Sequence, residues 1–252
     1  MGKEKELLWG FIDKEGNFMV EPRFHGAQDF HEGLATVKID YQRGYIGKDG
    51  DFVIEPQYQA AGKFSYGLAP VMTDEKWGFI SKDGSYSIPR EFEKAGEFSE
   101  GLAYVEINGL YGYINPEGKY IIQPSFEAAE DFRDGKARVY NGGKWIYIDV
   151  KGNPVPPEES TDISVPVFSE GLAVKEEGGK VGFVNEKGEF VIPPKFFDAA
   201  PFREGLARVK TTQNGKWGFI DKNGKYAFKN KFKQAGDFSE GLARVLSFRE
   251  EM

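Results

Sequence analysis

A Trp-Gly pair, or a recognisable counterpart of it, returns along this chain at a nearly fixed interval. It stands at Trp9-Gly10, Arg43-Gly44, Trp77-Gly78, Tyr111-Gly112, Trp145-Ile146, Val181-Gly182 and Trp217-Gly218, in steps of 34, 34, 34, 34, 36 and 36 residues. Seven units therefore fill the 252 residues. A unit this short cannot bury an apolar face by itself, so the units must stack on one another. The whole of 1–252 is read as one repeat domain, with the unit 145–180 its degenerate member.

A period near 34 is also found in helical repeats, so residue chemistry has to choose the fold. The anchor segments, such as Trp77-Gly-Phe-Ile80 and Tyr111-Gly-Tyr-Ile114, are aromatic and β-branched. Runs like Phe52-Val-Ile54 and Tyr120-Ile-Ile122 follow, and both kinds read as strands. Between them lies a polar turn closing on Gly16, Gly50, Gly84, Gly118, Gly152, Gly188 or Gly224, suited to a positive φ. The segment after each Gly-Leu-Ala, such as Leu206-Ala-Arg-Val209, supplies a third strand. Each module is thus expected to be a three-stranded antiparallel meander. The linking stretch with A-x-x-F (Ala95 to Phe98, Ala235 to Phe238) has an apolar spacing of three, which allows one short helical turn on the sheet.

This phasing leaves the first module without its first strand and leaves a lone first-type strand, Leu242 to Leu246, at the other end. Pairing of that strand with Trp9 to Ile12 would complete a seventh blade. The expected architecture is an all-β, seven-bladed propeller-like ring closed by its terminal strands. The competing architecture is an open β-solenoid or superhelix with polar caps.

The strings WGFIDK-x-G, P-x-F-x-x-A-x-x-F and F-S-E-G-L-A-x-V together resemble the bacterial WG-repeat family, also called KWG repeats. The resemblance covers essentially the whole chain. Arg43, Tyr111 and Val181 depart from it at the Trp, Ile146 departs at the Gly, and Pro154 to Phe168 loses the connecting pattern. What the resemblance implies is a β-repeat interaction module without catalytic residues to transfer.

Composition narrows the function. A formal charge of -7 and a pI near 5.2 oppose nonspecific nucleic-acid binding, which needs clustered Lys and Arg. Zero Cys excludes disulfides and thiolate chemistry. No apolar run is long enough for a membrane span or an export signal, so no membrane insertion is expected and a cytoplasmic location is.

No P-loop, dinucleotide fingerprint or H-E-x-x-H occurs, and no cofactor is expected. The carboxylates before Gly in F-x-E-G-L (Glu32, Glu100, Asp134, Glu170, Glu204, Glu240) recur at one position. Catalytic acids must differ in environment, so these read as solvated or turn-capping groups. His25 and His31, the only histidines, would need further ligands such as Asp29 or Glu32 to hold a metal, but they occupy variable positions of the repeat that other units fill without His, and no metal is expected. The recurring aromatics read as core.

What varies freely is the loop between the first two strands of each module. Such loops are the usual binding surface of a repeat scaffold. The residues expected to contact a partner are Tyr41, Gln42, Asn108, Leu110, Asn141, Glu177, Gln213 and Asn214. The expected function is a non-enzymatic scaffold for a protein or peptide. A carbohydrate- or envelope-binding, lectin-like role is the alternative, motivated by the aromatic content of 15%.

Overall fold

The structure, a computed structural model, describes residues 6–156 and 167–248. Every regular element among them is a strand. Two compact units divide the chain, 1–37 with 48–51 and 163–252, and 38–47 with 52–162.

In the first unit, one sheet runs Gln234–Ala235, Ala243–Phe248, Leu7–Ile12, Phe18–Phe24. A second runs Phe168–Ser169, Leu172–Glu177, Lys180–Val184, Phe190–Phe196, and a third Asp198–Ala199, Ala207–Lys210, Trp217–Ile220, Tyr226–Phe232. In the second unit the corresponding sheets are Ala60–Ala61, Ala69–Thr73, Lys76–Ile80, Tyr86–Phe92; then Lys94–Ala95, Ala103–Ile107, Leu110–Ile114, Tyr120–Phe126; then Ala128–Ala129, Lys136–Asn141, Lys144–Asp149, Pro154–Val155. The strands Gly26–Ala27, Ala35–Ile39, Gln42–Ile46 and Phe52–Tyr58 follow in the same order.

Each sheet is therefore four-stranded, which corrects the three-stranded reading. The stretch read as a helical turn stays extended. Its two residues pair with the next strand, as Gln234↔Leu246 and Ala235↔Val245 do, and the Gly236 N–H donates to the Arg244 carbonyl at 2.9 Å. The apolar spacing of three arises instead because a very short strand and a tight turn both aim side chains inward. Pro22, Pro56, Pro124 and Pro194 lie within the fourth strand, at the sheet edge, where a missing N–H breaks no ladder bond.

The terminal strands pair as the phasing suggested: Trp9↔Leu246, Gly10↔Val245, Phe11↔Arg244 and Ile12↔Ala243, all antiparallel. This join lies wholly within the first unit.

The core repeats as the chain does. The aromatic two places after each anchor meets the Phe of the following A-x-x-F with ring centroids 4.8–5.1 Å apart: Phe11 with Phe30, Tyr45 with Phe64, Phe79 with Phe98, Tyr113 with Phe132, Phe183 with Phe202, Phe219 with Phe238. Each pair adds about 1 kcal/mol beyond the area it buries. The degenerate unit lacks the arrangement, and Tyr147 at the corresponding place is only half-buried. Most of Pro154 to Phe168 lies outside the described residues.

The anchor glycines are needed for backbone approach. Opposite each, the fourth strand carries a register shift, as between Trp9↔Phe24 and Phe11↔Val20. A Cβ on Gly10 would stand 2.5 Å from the Val20 carbonyl oxygen, and Gly44, Gly112 and Gly182 are equally confined, by Ile54, Ile122 and Ile192. Ile146 replaces this glycine in the sheet whose fourth strand comprises, among the described residues, only Pro154–Val155.

Candidate functional site

The F-x-E-G-L segments form two-residue turns closed by bridges such as Ser99↔Leu102 and Ser239↔Leu242. Their first turn residue is left-handed without being glycine, with φ between 51° and 55° at Glu32, Tyr66, Glu100, Asp134, Glu170, Glu204 and Glu240. That conformation costs about 1 kcal/mol for an ordinary residue. The carboxylates offset the cost by reaching the next repeat. The Gly135 N–H donates to Glu100, Gly205 to Glu170, Gly241 to Glu204 and Gly33 to Glu240, at 2.9–3.2 Å. The serine before them ties the same joint, as the Ser99 hydroxyl donates to the Phe132 carbonyl and Ser239 to Phe30.

Lysines complete these joints: Lys14 lies 3.0 Å from Glu204, Lys48 3.3 Å from Glu240 and Lys222 3.1 Å from Glu170. Burial opposes ionisation of Glu204, but Lys14 and the Gly241 N–H outweigh it, and its carboxyl stands below the ordinary range. Glu100, Glu170, Glu204 and Glu240 are thus structural turn caps, each for the turn of its neighbour rather than for its own.

A second joint uses the residue before Phe in A-x-x-F. The Arg208 Nε donates to Asp237 at 2.6 Å and its Nη1 to the Ala235 carbonyl at 2.9 Å. Arg244 does the same to Asp29 and Ala27, at 2.7 and 2.8 Å. The guanidinium groups of these arginines lie over the rings of Trp217 and Trp9, with Cζ 5.0 and 5.3 Å from the centroids.

At Asp131 this joint is incomplete, because Tyr104 stands where the arginine would be. The carboxylate itself keeps its place. A Cβ on Gly96 would meet Asp131 Oδ1 at 2.8 Å, as one on the equivalent Gly236 would meet Asp29 Oδ1 at 2.6 Å. Asp131 Oδ1 is buried and finds no hydrogen-bond partner among the described residues. Burial, then the nearby Glu97, pushes its carboxyl above the ordinary range. A cavity of about 480 Å³ opens beside it, lined by Tyr104, Ala129, Asp131, Arg133, Lys136 and Arg138 among others. A smaller one of about 320 Å³ is also lined by Asp131, together with Glu97 and Ser99.

Sequence reasoning passed over this site. Its signal was the correlation between two repeat positions, Arg after Gly-Leu-Ala with Asp before Phe, which Tyr104 breaks.

The eight loop residues are all exposed, and Tyr41 is 87% so. They occupy the tips and flanks of hairpins between the second and third strands of successive sheets. The framework holds several of these tips: Glu93 accepts from the Gly109 N–H at 3.0 Å and Glu127 from Gly142 at 3.1 Å. Asn108 takes a left-handed φ of 53° to make its turn. The anchor tryptophans are not the fully buried core expected of them. Trp9, Trp77 and Trp217 are half-buried, and Trp145 is 42% exposed beneath Arg138, 4.4 Å from its ring centroid. His25 faces Glu6 at 3.5 Å, and no described group of three or more His, Asp or Glu residues is placed to hold a metal.

Sheets of one recurring pattern, joined turn to turn, define an all-β tandem repeat protein. The WG containing repeat matches at residues 9–42, 44–77, 77–111, 111–145, 182–217 and 217–246, and the chain belongs to that family. The stretch between the fourth and fifth matches is the degenerate unit.

No curated protein matches the sequence. Among solved structures, a streptogramin B lyase is similar with a TM-score of 0.41 and 11% identity, over 96% of this chain and 98% of that one. A eukaryotic initiation factor gives 0.41 and 9%, over 93% and 76%. A protein of unknown function from Bacteroides caccae gives 0.32 and 15%, over 87% and 90%.

Proposed function

We propose that this WG-repeat chain is a non-enzymatic binding module that presents its variable hairpin turns to a protein or peptide partner. The reading is carried by one contrast. Framework positions repeat their contacts from sheet to sheet, while Tyr41, Gln42, Asn108, Leu110, Asn141, Glu177, Gln213 and Asn214 differ from one another and stand in solvent, with the turns at Gly109 and Gly142 held from below by Glu93 and Glu127. Rigid turns of varied chemistry bind with little ordering cost. Pull-down from the native host, repeated with 108–110 and 211–214 scrambled, tests this. Partner capture is expected to be lost, and undiminished capture with both loops scrambled overturns the assignment. A lectin-like role is less favoured, because Arg244, Arg208 and Arg138 lie over the rings of Trp9, Trp217 and Trp145 that would have to stack on a sugar.

We further propose that the seven sheets form a closed, propeller-like ring rather than an open superhelix. Support comes from the join between the last and first repeats, which uses the same contacts as joins between adjacent ones. Ser239 to Phe30 repeats Ser169 to Phe202, Glu240 to Gly33 repeats Glu204 to Gly241, and Arg244 to Asp29 repeats Arg208 to Asp237.

A further inference from the structure

Two junctions, Arg208 with Asp237 and Arg244 with Asp29, pair a guanidinium with the carboxylate before Phe, and Asp131 keeps that carboxylate without such a guanidinium. Where the joint is complete, the guanidinium puts one N–H on the carboxylate and another on the alanine carbonyl two residues before it. Around Asp131 the same two acceptors, its carboxylate and the Ala129 carbonyl, belong to residues lining the 480 Å³ cavity. Tyr104 takes the place of the arginine stem and offers an aromatic ring, against which a guanidinium packs well.

Another residue of the same lining, Arg138, carries the reverse fault. Arg138 occupies in its own repeat the position of Arg208 and Arg244, but the residue that would supply its carboxylate is Val167. Arg138 instead lies 3.7 Å from Glu130, with Arg133 and Lys136 lining the same cavity. Three cations and the three acids Glu130, Asp131 and Asp134 thus surround one space, which suits a ligand with both charges better than a simple anion or cation.

We propose that this cavity binds a compound bearing a guanidinium and a carboxylate, arginine in chemical class. The guanidinium supplies the fork missing at position 104, between Asp131 and Ala129, and the carboxylate meets Arg138 and its neighbours. This site is independent of the hairpin turns, and its failure would leave the loop reading untouched.

Calorimetric titration of the full chain tests it, with L-arginine, the tripeptide Gly-Gly-Arg, agmatine, which lacks the carboxylate, and citrulline, whose urea group is neutral. Saturable binding of L-arginine or the tripeptide is expected, the tighter of the two identifying a free amino acid or a peptide terminus as the source. Agmatine should bind at least about tenfold more weakly, and citrulline should give no heat, as loss of a charge-assisted hydrogen-bonded pair implies. Asp131→Asn should cost about tenfold or more. The decisive variant is Tyr104→Arg, which restores the internal joint: it should raise the melting temperature and abolish binding. No binding of either arginine probe, citrulline binding as tightly as L-arginine, or undiminished binding by a folded Tyr104→Arg chain each overturns the proposal.

Discussion

Asp131 shows how a single position can depart from the repeat without disturbing the backbone around it. Its carboxylate sits where Asp29 and Asp237 sit, yet lacks their arginine. Its carboxyl titrates above the ordinary range because of burial, and then Glu97. Between the unfolded and folded values the native chain holds the extra proton, so stability falls as pH rises through that window. Asp131→Asn removes the ionisation. It is expected to raise stability near neutrality by about 1 kcal/mol, an amount limited by partial exposure, and to gain less in mild acid. Thermal melts at the two pH values check this, and an equal gain at both would contradict it. Glu204 runs the other way: its depressed pKa stabilises the fold above the unfolded value, and that contribution is lost as pH falls through the folded one.

The fourth strand of each sheet is where local sequence rules meet their limit. Its apolar run and its Pro were legible, and so was the recurrence of a glycine in the anchor opposite. What could not be read was that the strand continues past the Pro, through a bulge pressed against that glycine, into a further short strand. Gly112 tests the account, since a Cβ there would lie 2.6 Å from the Ile122 carbonyl oxygen and 2.7 Å from the Pro124 nitrogen. Gly112→Ala should lower stability by about 2–3 kcal/mol, because backbone atoms have to move. Gly101 has a positive φ of 81° but open space around it, and Gly101→Ala should cost about 1 kcal/mol from the strained conformation alone. Urea denaturation of the two variants compares them, and a reversed order would remove the close-approach explanation.

At the scale of the whole chain, the pairing of Leu7–Ile12 with Ala243–Phe248 makes a sheet from the two ends of the sequence. A closed ring should have the compact dimension of a 252-residue globule, a radius of gyration of roughly 18 Å. Small-angle scattering measures it directly, and a clearly larger value would favour the open superhelix. The sequence by itself determined the repeat, its strands and its turn glycines, because these follow from side-chain alternation and φ preferences acting over a few neighbours. It also placed the complementary half-modules at the two ends, since counting strands needs no coordinates. Only the tertiary structure decided which groups meet across repeats: Glu204 with Gly241, Arg244 with Asp29, and Asp131 with Oδ1 left without a hydrogen-bond partner among the described residues. The reason is that a hydrogen-bond partner is chosen by position in space. Arg244 and Asp29 lie 215 residues apart along the chain, and no local rule acts over that span.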